Sequence, residues 1–524
     1  MSRVVVVGGG IGGLAAAALI GRAGHEVTLL EANPWVGGKS RRIELDGRRM
    51  DTGPSLLTFP GVWEEFLRHW DTAASQPGEA AEIADLRLKR LPEVGRYYYR
   101  GETASLPVEE GHPWRAAWER FAGIHGGLGP EVTRLLTADP ADHRTLPALG
   151  RLLKIYGARL TTRSYLDSLQ WLPEVLREII AIHTLNAGVA PTRTPALYAS
   201  MPAIMAVDGV FVPEGGVYEI VLSLYRLARH AGVEVKTGEP VQEIGRDRVV
   251  TTEREYKADR VVSDLDSGRL ESLLDPERKR AKEGLSCSGV AVYATLREEL
   301  PGGVGVHSVV LPSNPFALYT SLETGKEPRE SMAFLNYYRG GEIYPNDGGT
   351  LAVLLTTPAN GQEYGLEDPF VRREIERVSA AAGLQEPVTR YFGEYEVLDP
   401  GYFGAWGSAG GALYGALRPF WRSGPLHRPL YNDRRRRWLW RVGASVHPGG
   451  GIPAVLGGTM RYSTQGTSAP GGARAGRCTG PCGPSGGADR CTGHRITIAG
   501  VRGCGGSGLR CIPGVAYRPF SGGL

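Results

Sequence analysis

The chain has 524 residues, 42% of them hydrophobic and 22% charged, a composition that suits a globular protein with a large core and two lobes. Its formal charge of +4 is unevenly spread: residues 463–524 hold seven Arg and one Asp and contribute +6, leaving −2 for residues 1–462, so nucleic-acid binding loses its main support. No apolar run approaches the roughly 20 residues of a membrane helix, and a body whose only thiol is Cys287 argues against a disulfide framework and fits a reducing cytoplasm.

Residues 4–7 are four valines that feed Gly8-x-Gly10-x-x-Gly13, and eighteen residues past Gly13 a second apolar run, 27–30, ends at Glu31. Strand, turn, helix, strand and acid stand in the order of a dinucleotide site. Gly8 permits the tight turn, Gly10 lets the backbone approach a pyrophosphate, and Gly13 lets the helix pack closely on the strand. The helix N-terminus turns free N–H groups toward the phosphates. Glu31 is placed to accept hydrogen bonds from a ribose 2′-hydroxyl and would repel a 2′-phosphate, which selects NAD or FAD over NADP.

Gly37-Gly38-Lys39-Ser40 follows, a glycine pair and a cation suited to a loop beside a cofactor, and residues 43–50 alternate about Asp46-Gly47 as a hairpin does. Residues 62–180 are expected to be mostly helical, with 148–165 and 171–182 apolar along one face. Trp63, Trp70, Trp114, Trp118 and Trp171 are expected in the core; an apolar face left exposed here would dip into a lipid interface without spanning it. After Pro213-Glu214-Gly215-Gly216, a helix to about 230, strands at 233–236 and 239–244 and a returning strand at 256–264 look like a second visit to the nucleotide domain. Residues 285–400 alternate more like sheet. Near the far end, residues 438–453 read as a short strand, a glycine-rich turn and a helix opened by Ile452-Pro453, whose N-terminus would favour negative charge on a reduced flavin. Arg434–Arg437 form a basic run before it, read as a solvated loop or a contact with anionic headgroups.

The segment beyond residue 462 differs from everything before it. It is dense in Gly, Arg, Pro, Ser and Cys and lacks lasting periodicity. Cys478, Cys482, Cys491 and His494 have a spacing that zinc would accept, but the composition is that of a disordered extension or of a shifted reading frame in GC-rich DNA.

The motifs from Gly8 to Glu31, Gly37 to Ser40, Asp51 to Ser55, Ala190 to Tyr198, Pro213 to Gly216 and Gly443 to Pro453 together resemble the bacterial carotenoid desaturases of the phytoene desaturase family, in order over about residues 3–460. The resemblance implies an α/β fold: a discontinuous Rossmann-like, amine-oxidase-like FAD domain with an inserted mixed sheet and helical substrate domain. It implies FAD as cofactor, a carotenoid substrate drawn from the membrane by a cytoplasmic, peripherally membrane-associated enzyme, insertion of a C=C bond with hydride passing to flavin, and reoxidation by oxygen or a quinone. Carried onto this chain, Gly8, Gly10 and Gly13 hold the pyrophosphate, Glu31 the ribose, and Gly38 and Lys39 the flavin side. Val241 touches adenine, and Gly443, Ala444, Gly451 and Ile452 line the isoalloxazine. His447 is a weak catalytic candidate, the proton acceptor is not legible, and no metal is expected.

The expected division is 1–75, 206–270 and 426–462 for the FAD domain, 76–205 for a helical substrate region, 271–425 for the substrate sheet and 463–524 for the tail. Short stretches at 210–217 and 411–415 look closest to members that introduce a 3,4 double bond into 1′-hydroxylated carotenoids. Phytoene desaturase, carotenoid ketolase, flavin amine oxidase and a non-enzymatic prenyl-lipid chaperone are the alternatives. The family continues after its Gly-Ile-Pro motif with an amphipathic helix, where this chain turns into its atypical tail.

Overall fold

A computed structural model describes residues 1–73, 78–137, 143–275, 277, 284–302, 304–417 and 435–446. The chain separates into two units, Met1–Ser468 and Ala469–Leu524, and every described residue belongs to the first. His447, Gly451, Ile452 and the tail cysteines Cys478, Cys482, Cys491, Cys504 and Cys511 lie outside the described residues.

Four valines in a row form a strand here because both faces of that strand are covered. Arg3–Val7 is the middle of a five-stranded parallel sheet in the order Leu439–Arg441, Arg260–Ser263, Arg3–Val7, Glu26–Leu30, Glu234–Lys236. Val4 and Val6 face one way, into a core shared with helices Ile11–Arg22 and Tyr218–His230. Val5 and Val7 face the other way, against the antiparallel strands Val241–Ile244, Arg248–Thr251 and Glu255–Lys257 through Val241, Ile244 and Val249. A parallel strand buried on both sides needs an unbroken apolar run rather than alternation. Three separated stretches of sequence thus build one sheet. The expected single strand over 256–264 is two strands in different sheets, Glu255–Lys257 and Arg260–Ser263.

The second lobe rests on a mixed sheet of seven strands among the described residues. Its order is Phe392–Leu398, Ser288–Leu296, Thr350–Thr357, Ala333–Tyr338, His307–Val310, Gly95–Tyr99, Glu102–Leu106. Side chains alternate across it as strand geometry requires. Val290, Val292, Leu351, Leu355, Ala333, Leu335 and Val310 pack against helix Pro369–Ala381 through Phe370, Val371, Ile375 and Val378. The opposite face lines a cavity.

Two strands of this sheet fall inside 62–180, where mostly helix was expected. Gly95–Tyr99 and Glu102–Leu106 form a hairpin about Arg100 and Gly101, both at positive φ, and join the sheet by parallel pairing with His307–Val310. Three consecutive tyrosines before a residue pair able to take the left-handed conformation is a hairpin signal. The surrounding helical spacing masked it. The hairpin at residues 42–51 forms as its sequence implies, with Asp46 and Gly47 both at positive φ. Trp63, Trp70 and Trp118 are core residues, and Trp114 and Trp171 pack partly buried against that core.

Candidate active site

The glycine turn is a place where backbone must touch backbone. A Cβ on Gly13 would stand 2.1 Å from the carbonyl oxygen of Gly8, so only glycine lets helix Ile11–Arg22 start this close to its strand. Gly8 takes φ +100°. Gly37 donates its N–H to the Gly9 carbonyl at 2.7 Å, and Gly38, at φ +61°, passes so close that its Cβ would lie 3.3 Å from the Gly10 Cα. The two glycine loops therefore lie one on the other.

Asp264 is the residue this arrangement closes around. It ends the strand beside the fingerprint strand, and its carboxylate would be 2.4 Å from a Cβ on Gly10, 2.8 Å from one on Gly12 and 2.1 Å from one on Gly443. It accepts hydrogen bonds from the backbone of Gly13 and Gly10, at the N-terminus of the first helix. Burial pushes its pKa up to about 7 in spite of these bonds, with the Glu31 charge adding to the rise and Lys39 opposing it. The glycines at 10, 12 and 443 thus accommodate an internal carboxylate as well as any ligand. Reading the sequence for glycines alone passes over Asp264; the signal was an acid closing a second apolar strand, Val261-Val262-Ser263-Asp264.

Glu31 is nearly buried, and its Oε2 accepts from Gly9 N–H at 2.7 Å while Oε1 accepts from Asn33 N–H at 2.9 Å and Asn33 Nδ2 at 2.6 Å. A carboxylate has about four lone-pair directions, so one remains for a hydroxyl. Lys39 donates from Nζ to the Leu413 carbonyl at 2.7 Å, tying its loop to residues 412–413. Burial lowers the Lys39 pKa, with Asp266 and Asp264 working against the shift. Next to this loop, Asp51 accepts from Arg42 Nε at 2.8 Å and from the Tyr218 N–H at 2.8 Å, and Arg42 also reaches Glu219 at 3.0 Å. Burial raises Asp51 even so. Val241 opens its strand and lines the same cavity, as do Gly443 and Ala444.

A cavity of about 1410 Å³ extends from this turn into the second lobe. Its floor is the open face of the seven-stranded sheet: Ala291, Tyr293, Ala352, Leu354, Phe334, Asn336, Tyr338, His307 and Tyr97. Its cover is helical and includes Val132, Leu149, Leu152, Met201 and Met205. Among the described residues, charge is confined to one end: Glu31, Lys39, Asp51, Asp264, Asp266 and Arg269 line the cavity from segments 31–51 and 264–269, whereas no described Asp, Glu, Lys or Arg lines it from segments 54–205 or 286–354. The histidines there, His183 and His307, have pKa values lowered by burial, His183 to about 3, and are neutral.

A parallel sheet whose first turn is glycine against glycine, with a half-buried acid just past the neighbouring strand and a large cavity opening from the turn, defines a dinucleotide-binding oxidoreductase. The family model of flavin containing amine oxidoreductases matches residues 11–361, and the chain belongs to that family. Its cofactor is FAD. The zeta-carotene-forming phytoene desaturase of Myxococcus xanthus is 28% identical over 494 residues, covering 87% of this chain and 92% of the relative. A 4,4′-diapophytoene desaturase of Staphylococcus haemolyticus is 26% identical over 493 residues, covering 86% and 96%.

Among solved structures, putrescine oxidase bound to putrescine superposes with a TM-score of 0.58 at 15% identity, over 88% of this chain and 98% of that one. Cyclohexylamine oxidase from Brevibacterium oxydans superposes with a TM-score of 0.55 at 13% identity, again over 88% and 98%. These two likenesses establish the fold: a discontinuous Rossmann-like domain joined to a second, sheet-based lobe.

Proposed function

We propose that this protein is an FAD-dependent desaturase that inserts a C=C bond into a carotenoid, and that the bond is the 3,4 bond of a 1′-hydroxylated carotenoid. The observation that carries the first half is the partition of the cavity, charged beside the glycine turn and uncharged over the sheet. An ammonium substrate entering the uncharged part would lose its hydration with no carboxylate to meet it, a cost of several kcal/mol. A hydrocarbon chain has no charge to desolvate there and gains about 25 cal/mol for each Å² removed from water. The two relatives that span most of this chain are named as carotenoid desaturases, which supports the same reading.

FAD when bound supplies a two-electron acceptor for a hydride leaving an allylic carbon. Of the chain's own groups, Gly8, Gly10 and Gly13 admit the pyrophosphate, and Glu31, with one lone-pair direction unused, holds the ribose hydroxyl. Gly38 and Lys39 shape the flavin side, Val241 abuts the adenine, and Gly443 and Ala444 flank the ring. The apolar floor and the helical cover exclude water from the reacting bond and fix the chain's direction along the cavity.

No described helix is long and apolar enough to cross a membrane. Helix Leu146–Tyr156 lines the cavity with Leu149 and Leu152, and its Leu146 and Leu153 stand 64% and 67% exposed. Such a face suits docking on a lipid surface that holds the substrate, with oxygen or a quinone taking the electrons. The assignment is tested by purifying the protein, recording its flavin absorbance, and extracting pigments from hosts that accumulate phytoene or a 1′-hydroxylated carotenoid. A red shift only with the hydroxylated substrate supports the 3,4 reading, and colour formed from phytoene replaces it by phytoene desaturation. No change in either host, with FAD bound, rejects both.

A further inference from the structure

The uncharged part of the cavity contains a cluster that a pure hydrocarbon would not use. His307 opens strand His307–Val310 directly opposite Asn336 of strand Ala333–Tyr338, and His307 Nδ1 lies 2.6 Å from Asn336 Oδ1. On the far side of His307, Gly95 leaves room for the ring, since a Cβ there would lie 3.0 Å from His307 Cδ2. Two residues on, Tyr97 bonds His183 Nε2 through its hydroxyl at 2.9 Å. All four side chains line the cavity, and none is more than 9% exposed.

The hydrogen-bond pattern determines what this cluster offers. Asn336 Oδ1 can only accept, so the neutral His307 carries its proton on Nδ1 and presents the Nε2 lone pair. Asn336 Nδ2 retains its N–H donors. Among the described residues, the bond between His307 Nδ1 and Asn336 Oδ1 is the one side-chain hydrogen bond either residue makes, which leaves His307 Nε2 and Asn336 Nδ2 open to the cavity. An acceptor and a donor on opposed residues of neighbouring strands match a group that both donates and accepts through one oxygen. With the histidines neutral, that group is itself uncharged.

Building on the reading of the cavity as a site for a long apolar chain, we propose that His307 and Asn336, with Tyr97 and His183 behind them, form a specificity site for a hydroxyl carried by that chain. The hydroxyl donates to His307 Nε2 and accepts from Asn336 Nδ2. A hydrocarbon end in the same place would strip both groups of water without replacing it, which is how sites built for a hydroxyl reject the analogue that lacks one.

The test is a binding measurement on the FAD-loaded protein in detergent micelles, following the flavin absorbance as an acyclic carotene or its 1′-hydroxylated derivative is added. The intact protein is expected to bind the hydroxylated compound on the order of tenfold more tightly, the return of one to two net hydrogen bonds. Asn336→Leu and His307→Leu are each expected to erase that preference with flavin content kept, and to raise affinity for the carotene, which no longer strips a polar group of water. Equal affinities in the intact protein, or a preference surviving in both variants, would overturn the proposal. Because binding is read apart from turnover, a protein that shows the preference and desaturates neither compound would sink the desaturase reading and leave the hydroxyl site standing.

Discussion

At the glycine turn the wall of the cavity is backbone, and nearly every contact there is set by the absence of a side chain: Gly13 against the Gly8 carbonyl, and Gly10, Gly12 and Gly443 around Asp264. Over the seven-stranded sheet the wall is side chain, and what decides its chemistry is which residues alternate onto the open face. The first end tolerates almost no substitution, because a Cβ has nowhere to go. The second tolerates many that keep volume and polarity, since apolar cores accept such exchanges at modest cost. One end is thus shaped for a ligand of fixed structure, and the other can be retuned for different chains without disturbing the fold.

The sharpest way to break this contrast is at the seam between the two ends. Asp51 takes hydrogen bonds from Arg42, from the Tyr218 N–H and, through its own N–H, reaches Tyr344 of the second lobe at 3.1 Å. Asp51→Ala takes one of two carboxylate partners from the half-buried Arg42 guanidinium, leaving Glu219, and is expected to cost about 3 kcal/mol, seen as a large fall in Tm with loss of flavin. A variant with unchanged Tm would show that the carboxylate is not what holds this seam, since the Asp51 N–H keeps its bond to Tyr344 in the variant.

Next in size is Gly13→Ala, which places a methyl against the Gly8 carbonyl. About 1–3 kcal/mol of stability should be lost, together with the flavin absorbance of the purified protein. An exchange of similar volume on the sheet floor, Leu354→Met, is expected to leave both within error.

Asp264 sharpens the comparison through pH. Its carboxyl ionises near 4 in the unfolded chain but at about 7 in the folded protein, so the native state binds the extra proton between these values and loses stability as pH rises from about 4 to about 7, with no further loss above. A pyrophosphate arriving beside the same carboxylate favours the protonated form. FAD affinity is therefore expected to fall above pH 7 by up to tenfold per pH unit, measured by fluorescence titration of the flavin, and Asp264→Asn should flatten that dependence. A pH-independent affinity in the intact protein would place the pyrophosphate out of reach of Asp264.

The smallest effect concerns the outer face of the cavity cover. Leu153→Ser, alone or with Leu146→Ser, should change stability by no more than about 0.5 kcal/mol and reduce sedimentation with anionic lipid vesicles severalfold while flavin content is unchanged. Undiminished vesicle binding would move the lipid contact elsewhere.

The order of elements from Gly8 to Glu31, the hairpin about Asp46 and Gly47, and the strand before Gly443 were legible because each depends on neighbours a few residues away. A tight turn needs glycine, and a strand covered on both faces needs a continuous apolar run. The family resemblance rested on these same local signatures, and the match over residues 11–361 upholds it. The hairpin at 95–106 was hidden because its tyrosines become strand only by pairing with His307–Val310, about two hundred residues later. His447, Gly451 and Ile452 fall outside the described residues and add nothing to either side of this balance.

By itself, then, the sequence determined the dinucleotide turn, the acid that follows it and the apolar character of the body, since all three arise from short-range sterics and composition. Tertiary structure alone decided that Asp264 stands among three glycines drawn from two distant segments. It decided that every charged group lining the cavity among the described residues sits at its nucleotide end, and that His307 and Asn336 stand opposite one another on neighbouring strands. The reason is physical: strand register and sheet order bring together residues with no relation along the chain, and the protonation and partners of a buried polar group depend on what surrounds it in space.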